Sequence, residues 1–260
     1  MILPWSSASS VGLVSGMHFE RMAAKYTEAR PAYPAGLYEV LERDGVIGPR
    51  VQVLEVGAGA GLATRDLVRC GCHVTAVEPG SELARLLQRD VPEAEVLLAR
   101  LEDVELPAGS FDSVVAATAM HWVDLAVALP KIHAALRPDG WLAAWRHRFG
   151  DESVDTEFRR HVERIVAARP SHDPGARRSD DRPTVEELTA DGWFDPVRTE
   201  QWRWTVDLDT DGVRRLFKTF SDWSDAEVEA AARAVDELGG VVTEHYRTVL
   251  HLLKRAPRPG

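Results

Sequence analysis

Apolar and polar positions in this chain repeat with two periods. Between Val51 and Trp145, short runs rich in Val, Leu and Ala alternate with segments whose apolar residues recur every third or fourth place. That is the pattern of strands buried on both faces and separated by amphipathic helices. The predicted strands are 51–56, 73–77, 95–99, 111–116 and 141–145. Helices are predicted over 62–70 and 82–88, with Ser81 as a cap after Pro79-Gly80, and between Asp124 and Leu136, where R-P-D-G stops the last one. Five parallel strands joined through helices make an α/β, doubly wound sheet.

The flanks read differently. Phe19, Met22, Ala23 and Tyr26 have helical spacing, Pro31 and Pro34 bracket a turn, and a second helix follows through Leu37 to Leu41. After Gly150 come a helix of mixed charge over 154–168, a polar loop A-R-P-S-H-D-P-G-A-R-R-S-D-D-R-P, and a short helix over 184–190. The stretch V-R-T-E-Q-W-R-W-T-V-D alternates strictly, as a strand with one polar face does. Two helices near 211–220 and 225–238 precede H-Y-R-T-V-L-H-L-L-K-R. Residues 18–256 are expected to form one domain, with a helical cap over 18–49 and a lid or substrate-side insertion over 151–195. Residues 1–17 are expected to be a flexible tail, with Met17 an alternative start.

The chemistry concentrates where the first strand ends. V-Q-V-L-E-V runs into Gly57, Gly59 and Gly61, and L-A-T-R-D-L-V opens a helix at once. Glycine has no Cβ, so the backbone there can turn sharply and let a ligand approach closely. The second strand ends at Glu78, 21 positions after Gly57, where a carboxylate can accept both hydroxyls of a ribose. Leu62 breaks the G-x-G-x-x-G spacing of dinucleotide folds. Glu55, two residues before the first glycine, suits a cationic group better than a pyrophosphate. An ordinary strand-turn-helix joint is the alternative reading of the glycines alone.

Taken together, L-E-V-G-A-G-A-G, A-V-E-P, L-E-D-V-E-L-P, F-D-S-V-V-A-A-T-A-M-H-W-V-D and L-R-P-D-G-W-L, in that order over 51–148, resemble the class I S-adenosylmethionine-dependent methyltransferases. The likeness is to the small-molecule enzymes of the type 11 and trans-aconitate methyltransferase kind. It implies a seven-stranded Rossmann-like sheet whose last strand is antiparallel, with S-adenosylmethionine as cofactor. By the same resemblance Gly57, Gly59 and Gly61 border the methionine and ribose, and Glu78 holds the ribose hydroxyls. Leu101, Glu102 and Asp103 line the adenine, while Pro79, Thr118, His121 and Trp122 complete the cofactor site. In such enzymes the N-terminal segment folds over the cofactor, so Tyr26 is both a cofactor neighbour and a catalytic candidate. Arg30 would meet the cofactor carboxylate or an acidic substrate.

His121 follows the fourth strand at the carboxyl edge, where open sheets bind ligands, and is the first candidate to take or orient a substrate proton. The alternative is that His121 bonds cofactor or backbone while Trp122 packs. Tyr33, Trp145, His147, Phe220, Trp223 and Tyr246 are candidates for the substrate cavity, or are core.

Charge and composition narrow the class. With 31 basic and 41 acidic residues, the formal charge of -10 does not steer the chain globally toward nucleic acid or an anionic membrane. No apolar run reaches membrane-spanning length, and the opening residues lack the basic start and apolar core of a secretory signal. A cytoplasmic protein, monomer or homodimer, is expected. Cys70 and Cys72 read as reduced packing residues, and His172 with Asp173 has too few companions for a metal. A small-molecule methyltransferase is the leading expectation. The others are a nucleic-acid or protein methyltransferase of the same fold, a nicotinamide oxidoreductase, and a non-catalytic cofactor-binding subunit.

Overall fold

The computed structural model describes residues 29–169, 182–220 and 222–257. Tyr26, the tail and most of the polar loop lie outside them. One seven-stranded sheet organises the rest, in the order β3-β2-β1-β4-β5-β7-β6. Its parallel part comprises β1 (Gln52–Val56), β2 (His73–Glu78), β3 (Glu95–Leu98), β4 (Phe111–Ala117) and β5 (Leu136–Phe149). The strand β7 (Val241–Arg255) lies antiparallel between β5 and β6 (Phe194–Asp209), so β6 runs in the same direction as the first five.

Period-two alternation gives each strand a residue on either face. Val53, Val74, Val115, Ala143, Trp145 and Leu250 face one side and bury Leu37 and Leu41 of α1 (Ala35–Arg43), Leu67 of α2 (Thr64–Arg69) and Leu87 of α3 (Ser81–Asp90). Leu54, Val56, Val77, Val114, Leu142 and Leu253 face the other and bury Leu129 and Ile132 of α4 (Leu125–Ala135). Asp124 caps α4 by accepting from the Ala126 amide at 3.0 Å. The α3 helix begins at Ser81 itself, with Gly80 in the cap position, one residue earlier than the sequence expectation.

The last two strands are unusually long. Only Trp141 to Phe149 of β5 pairs with β7, through Lys254 to Tyr246; Val241 to His245 pairs with Thr205 to Asp209 alone. This two-stranded overhang stands beyond the carboxyl ends of the parallel strands. A third apolar cluster sits on it, made by α5 (Glu157–Ala167), α7 (Thr210–Phe217) and α8 (Asp225–Glu237) around Phe158, Leu216, Phe217 and Val235. Ser224 and Glu227 close a reciprocal cap at the start of α8, as Thr184 and Glu187 do for α6 (Val185–Thr189). The region after Gly150 thus splits: α5 joins the overhang cluster, and Leu188 of α6 joins the core beneath the sheet. Cys70 and Cys72 are free thiols, the second accepting from the Gly48 amide at 3.4 Å.

Candidate active site

Three glycines follow β1, all with positive φ, yet they serve different ends. A Cβ on Gly57 (φ 65°) would lie 2.7 Å from the Ala119 Cβ, and one on Gly61 (φ 87°) 2.6 Å from Leu87 Cδ1. These two are needed for close packing. A Cβ on Gly59 (φ 59°) would meet nothing within 4 Å. Open space therefore begins at Gly59, and there a ligand can reach the backbone.

Two carboxylates stand beside that space. Glu78 is buried, its Oε2 accepting from the Gly59 amide and its Oε1 from the Gly80 amide, each at 2.8 Å. These bonds fix the carboxylate at the end of β2 and tie it to the glycine turn. Glu55 is 1% exposed; Oε2 accepts from the Thr64 hydroxyl at 2.7 Å, while Oε1 is buried with no hydrogen-bond partner among the described residues. Burial lifts its carboxyl to about 8, against the pull of the Thr64 bond, and the nearby Glu78 charge adds to the rise. A buried carboxyl at the end of β1 that ionises once a positive charge stands beside it fits a cationic group.

The edge continues through the loop after β3. Leu101 is buried in the core, Glu102 accepts from the Asp124 amide at 3.1 Å, and Asp103 and Pro79 are exposed. Lys131 of α4 holds this loop: its Nζ donates to the carbonyls of Leu101 (3.0 Å), Glu102 (2.6 Å) and Val104 (2.8 Å). Nothing in the sequence motifs singles out Lys131, because its role depends on where α4 crosses the loop.

At the end of β4, Thr118 takes φ 56°, a conformation a β-branched residue adopts only under constraint. Its amide donates to the Trp145 carbonyl at 2.7 Å, and its Oγ1 accepts from the His147 amide at 3.2 Å. The Tyr33 hydroxyl meets the same Oγ1 at 3.3 Å, so the cap segment is latched to the ends of β4 and β5. Next, His121 and Trp122 lie in a short 3-10 turn (Met120–Trp122) with ring centroids 4.6 Å apart, and Trp122 is half exposed.

Known proteins share this fold and part of this sequence. Residues 54–144 match the methyltransferase domain family. An uncharacterized methyltransferase of Mycobacterium tuberculosis is 28% identical over 230 residues, which cover 88% of this chain and 87% of that one. Among solved structures, a candidate type II methyltransferase from Anaeromyxobacter dehalogenans superposes with a TM-score of 0.64 at 24% identity, covering 88% of this chain and 99% of that one. A candidate sarcosine dimethylglycine methyltransferase from Galdieria sulphuraria reaches 0.51 at 17% identity, covering 85% and 84%. The chain has the methyltransferase fold, and its residues 54–144 carry the likeness to the methyltransferase domain family.

In this fold the residues singled out from sequence divide between the two faces of the sheet. His121 lines a crevice with Met120, Ala144, Arg146, Pro183 and Val249. Burial, with the Arg146 charge beside it, pushes its imidazole down to about 3. The ring is therefore neutral at physiological pH. On the other face Tyr33 sits edge-on to Trp145 (5.7 Å) and to His147 (5.2 Å). Trp145 is 3% exposed and belongs to the core. Arg30 stacks over Phe220 at 4.7 Å, linking the segment before α1 to the end of α7. Trp223 packs edge-on against Phe217 (4.4 Å) and under Arg169 (5.2 Å), in the overhang cluster.

The fold also assembles residues the motifs left out. Trp204 stacks on Tyr246 (4.6 Å), lies 4.8 Å from His147 and donates to Thr248 Oγ1 at 3.1 Å. The signal was present as alternation: W-R-H-R-F, W-R-W and Y-R-T each put their outer residues on one face of a strand. Which strands lie side by side is what makes them one surface.

Proposed function

We propose that this chain transfers the methyl group of S-adenosylmethionine to a small-molecule acceptor held at the carboxyl edge of β4 and β5. The single observation that carries this reading is the latch of Tyr33 on Thr118 beside His147, with Arg30 reaching Phe220. It ties the cap segment to the ends of β4 and β5 and to the overhang, and so supports an enclosed acceptor site there. A roofed, aromatic-walled site suits a metabolite with an aromatic or polyketide-like body better than a polymer strand.

The residues fit the cofactor. Glu55 Oε1, buried without a partner, would face its cationic end; Gly59 would border it; Glu78 would hold ribose hydroxyls; Leu101, Glu102 and Asp103 would lie along the adenine. The cofactor supplies an electrophilic methyl on a sulfonium, which needs no activation by the enzyme. The chain's task is then to align the acceptor in line with the methyl-sulfur bond and to exclude water. Tyr33 and His147 would orient an acceptor. His121, neutral and on the opposite face, contributes by shaping the edge or by taking a proton from a substrate that reaches it.

The test is to incubate purified protein with methyl-labelled S-adenosylmethionine and a size-fractionated extract of its own cell. Label in a small organic product, identified by mass spectrometry, is the expected result. Label confined to nucleic acid or protein overturns the acceptor assignment, and no label anywhere overturns the activity.

A further inference from the structure

The main chain leaves the sheet at Thr118 by an exchange of hydrogen bonds. Ala117 pairs with Trp145, and the Thr118 amide continues the ladder to the Trp145 carbonyl at 2.7 Å. In a parallel pair the next bond runs from the His147 amide to the Thr118 carbonyl. Here that amide donates to the Thr118 hydroxyl instead, at 3.2 Å. The side chain stands in for the backbone, and the chain takes a strained φ of 56° to do so. The Tyr33 hydroxyl, 3.3 Å from the same Oγ1, helps to hold it there.

This exchange leaves a carbonyl without a donor. Among the described residues no amide and no side chain donates to the Thr118 carbonyl oxygen, which a folded chain ordinarily pairs. Its place is the carboxyl edge of β4. The next residue, Ala119, packs on Gly57: a Cβ there would lie 2.7 Å from the Ala119 Cβ. The peptide between Thr118 and Ala119 therefore borders the glycine turn. Thr118 also lines the crevice that holds His121. A carbonyl oxygen can only accept, so the ligand group that satisfies it carries an N–H or an O–H.

We propose that the Thr118 carbonyl accepts a hydrogen bond from the atom that is methylated, which makes that atom an N–H nitrogen or an O–H oxygen rather than a carbon. This rests on the small-molecule methyltransferase reading and narrows it to a class of accepting atom. Held by its hydrogen, the heteroatom keeps a lone pair free to point at the methyl carbon. The new bond forms from that lone pair as the methyl-sulfur bond breaks; sulfur keeps the bonding pair, and the heteroatom's proton passes to solvent. The carbonyl dipole stabilises the positive charge that builds on the heteroatom. Thr118 binds the acceptor through its backbone, and its hydroxyl is the positioning group that keeps the His147 amide off the carbonyl.

The cofactor also carries donors, in its ammonium and ribose hydroxyls, so the test separates cofactor from acceptor. Variants of the full chain are supplied with methyl-labelled S-adenosylmethionine and the small-molecule fraction of the extract. Thr118→Val keeps the side-chain shape without the hydroxyl, and Thr118→Gly also relieves the strain. In both, the His147 amide reclaims the carbonyl. Turnover at saturating cofactor should fall about tenfold, the worth of one hydrogen bond, with S-adenosylmethionine affinity unchanged. Thr118→Ser, which keeps the hydroxyl, should recover it. The Tm of Thr118→Gly should equal or exceed that of the unchanged chain, which separates its loss of turnover from a loss of folding. The carbon-13 shift of the transferred methyl should place it on nitrogen or oxygen.

A methyl found on carbon overturns the proposal, as does unchanged turnover in Thr118→Val and Thr118→Gly, or lost turnover in Thr118→Ser. Weakened cofactor affinity in Thr118→Val and Thr118→Gly assigns the carbonyl to the cofactor and overturns it too, and so does a lowered Tm in Thr118→Gly. If the unchanged chain labels a small product while these results fail, only the accepting atom falls. If it labels none, the small-molecule reading falls and takes this proposal with it.

Discussion

Single side chains at this site are set by burial more than by neighbouring charge. Glu55 holds its proton up to about 8, whereas an unfolded glutamate releases it near 4.5. Between those values the folded state binds a proton that the unfolded state lacks, so this group's contribution to stability falls as pH rises through the window. A cation beside Oε1 reverses the preference. S-adenosylmethionine binding at neutral pH is therefore expected to release a proton, counted by calorimetry in buffers of different ionisation enthalpy, and Glu55→Gln to release none. His121 has the opposite sign. Its folded pKa of about 3 lies below the ordinary 6.5, so its contribution to stability is full above 6.5 and is lost as pH falls toward 3. The pH–rate profile should show no inflection near 6.5 from this residue. Replacement of His121 by Ala should flatten the acid limb of the Tm–pH curve and leave cofactor affinity unchanged.

Between residues and the whole lie the turns and loops that carry them. Gly57 and Gly59 share a backbone conformation but not a surrounding. Gly57→Ala meets the Ala119 methyl and should destabilise by roughly 2–4 kcal/mol, steric conflict adding to the strain of positive φ. Gly59→Ala has open space and should cost only about 1–2 kcal/mol, yet weaken S-adenosylmethionine more than Gly57→Ala does relative to its effect on Tm. Denaturant unfolding and calorimetry on the two variants separate these effects. Lys131 gives a complementary test from the far side of the edge. With three carbonyls on one ammonium, Lys131→Met should cost about 1.5–3 kcal/mol and loosen the 101–104 loop, seen as faster amide exchange there.

At the scale of the molecule, the overhang of β6 and β7 is what distinguishes this chain from a bare sheet. It raises α5, α7 and α8 beyond the carboxyl edge, and Phe217 is the fully buried centre of that cluster, with Phe149, Phe158, Phe220 and Trp223 around it. Phe217→Ala should lower stability by about 3–5 kcal/mol. Because Phe149 joins this cluster to Tyr246 at 5.6 Å, the same variant should disturb the acceptor side while leaving cofactor affinity near wild type. Equal loss of both would show that the cluster and the glycine edge form one cooperative unit.

The sequence by itself determined the parallel core and the glycine edge, for a local reason. Strand, glycine turn and helix are neighbours along the chain, and the carboxylates of Glu55 and Glu78 end the strands that carry them. The apolar runs therefore predicted five strands, strict alternation a sixth, and the resemblance the seventh, antiparallel one. Tertiary structure alone decided the rest. It divided the candidates between two faces, His121 with Arg146 on one and Tyr33 with His147 on the other, because one residue of strand register separates Arg146 from His147. It moved the pKa of His121 by burial, which no motif reports, and placed Lys131 under a loop nearly thirty residues earlier. It also brought His147, Trp204, Tyr246 and Thr248 together from three strands distant in sequence. Contacts of that range depend on which strands pair, and pairing is settled only when the whole sheet buries its two faces at once.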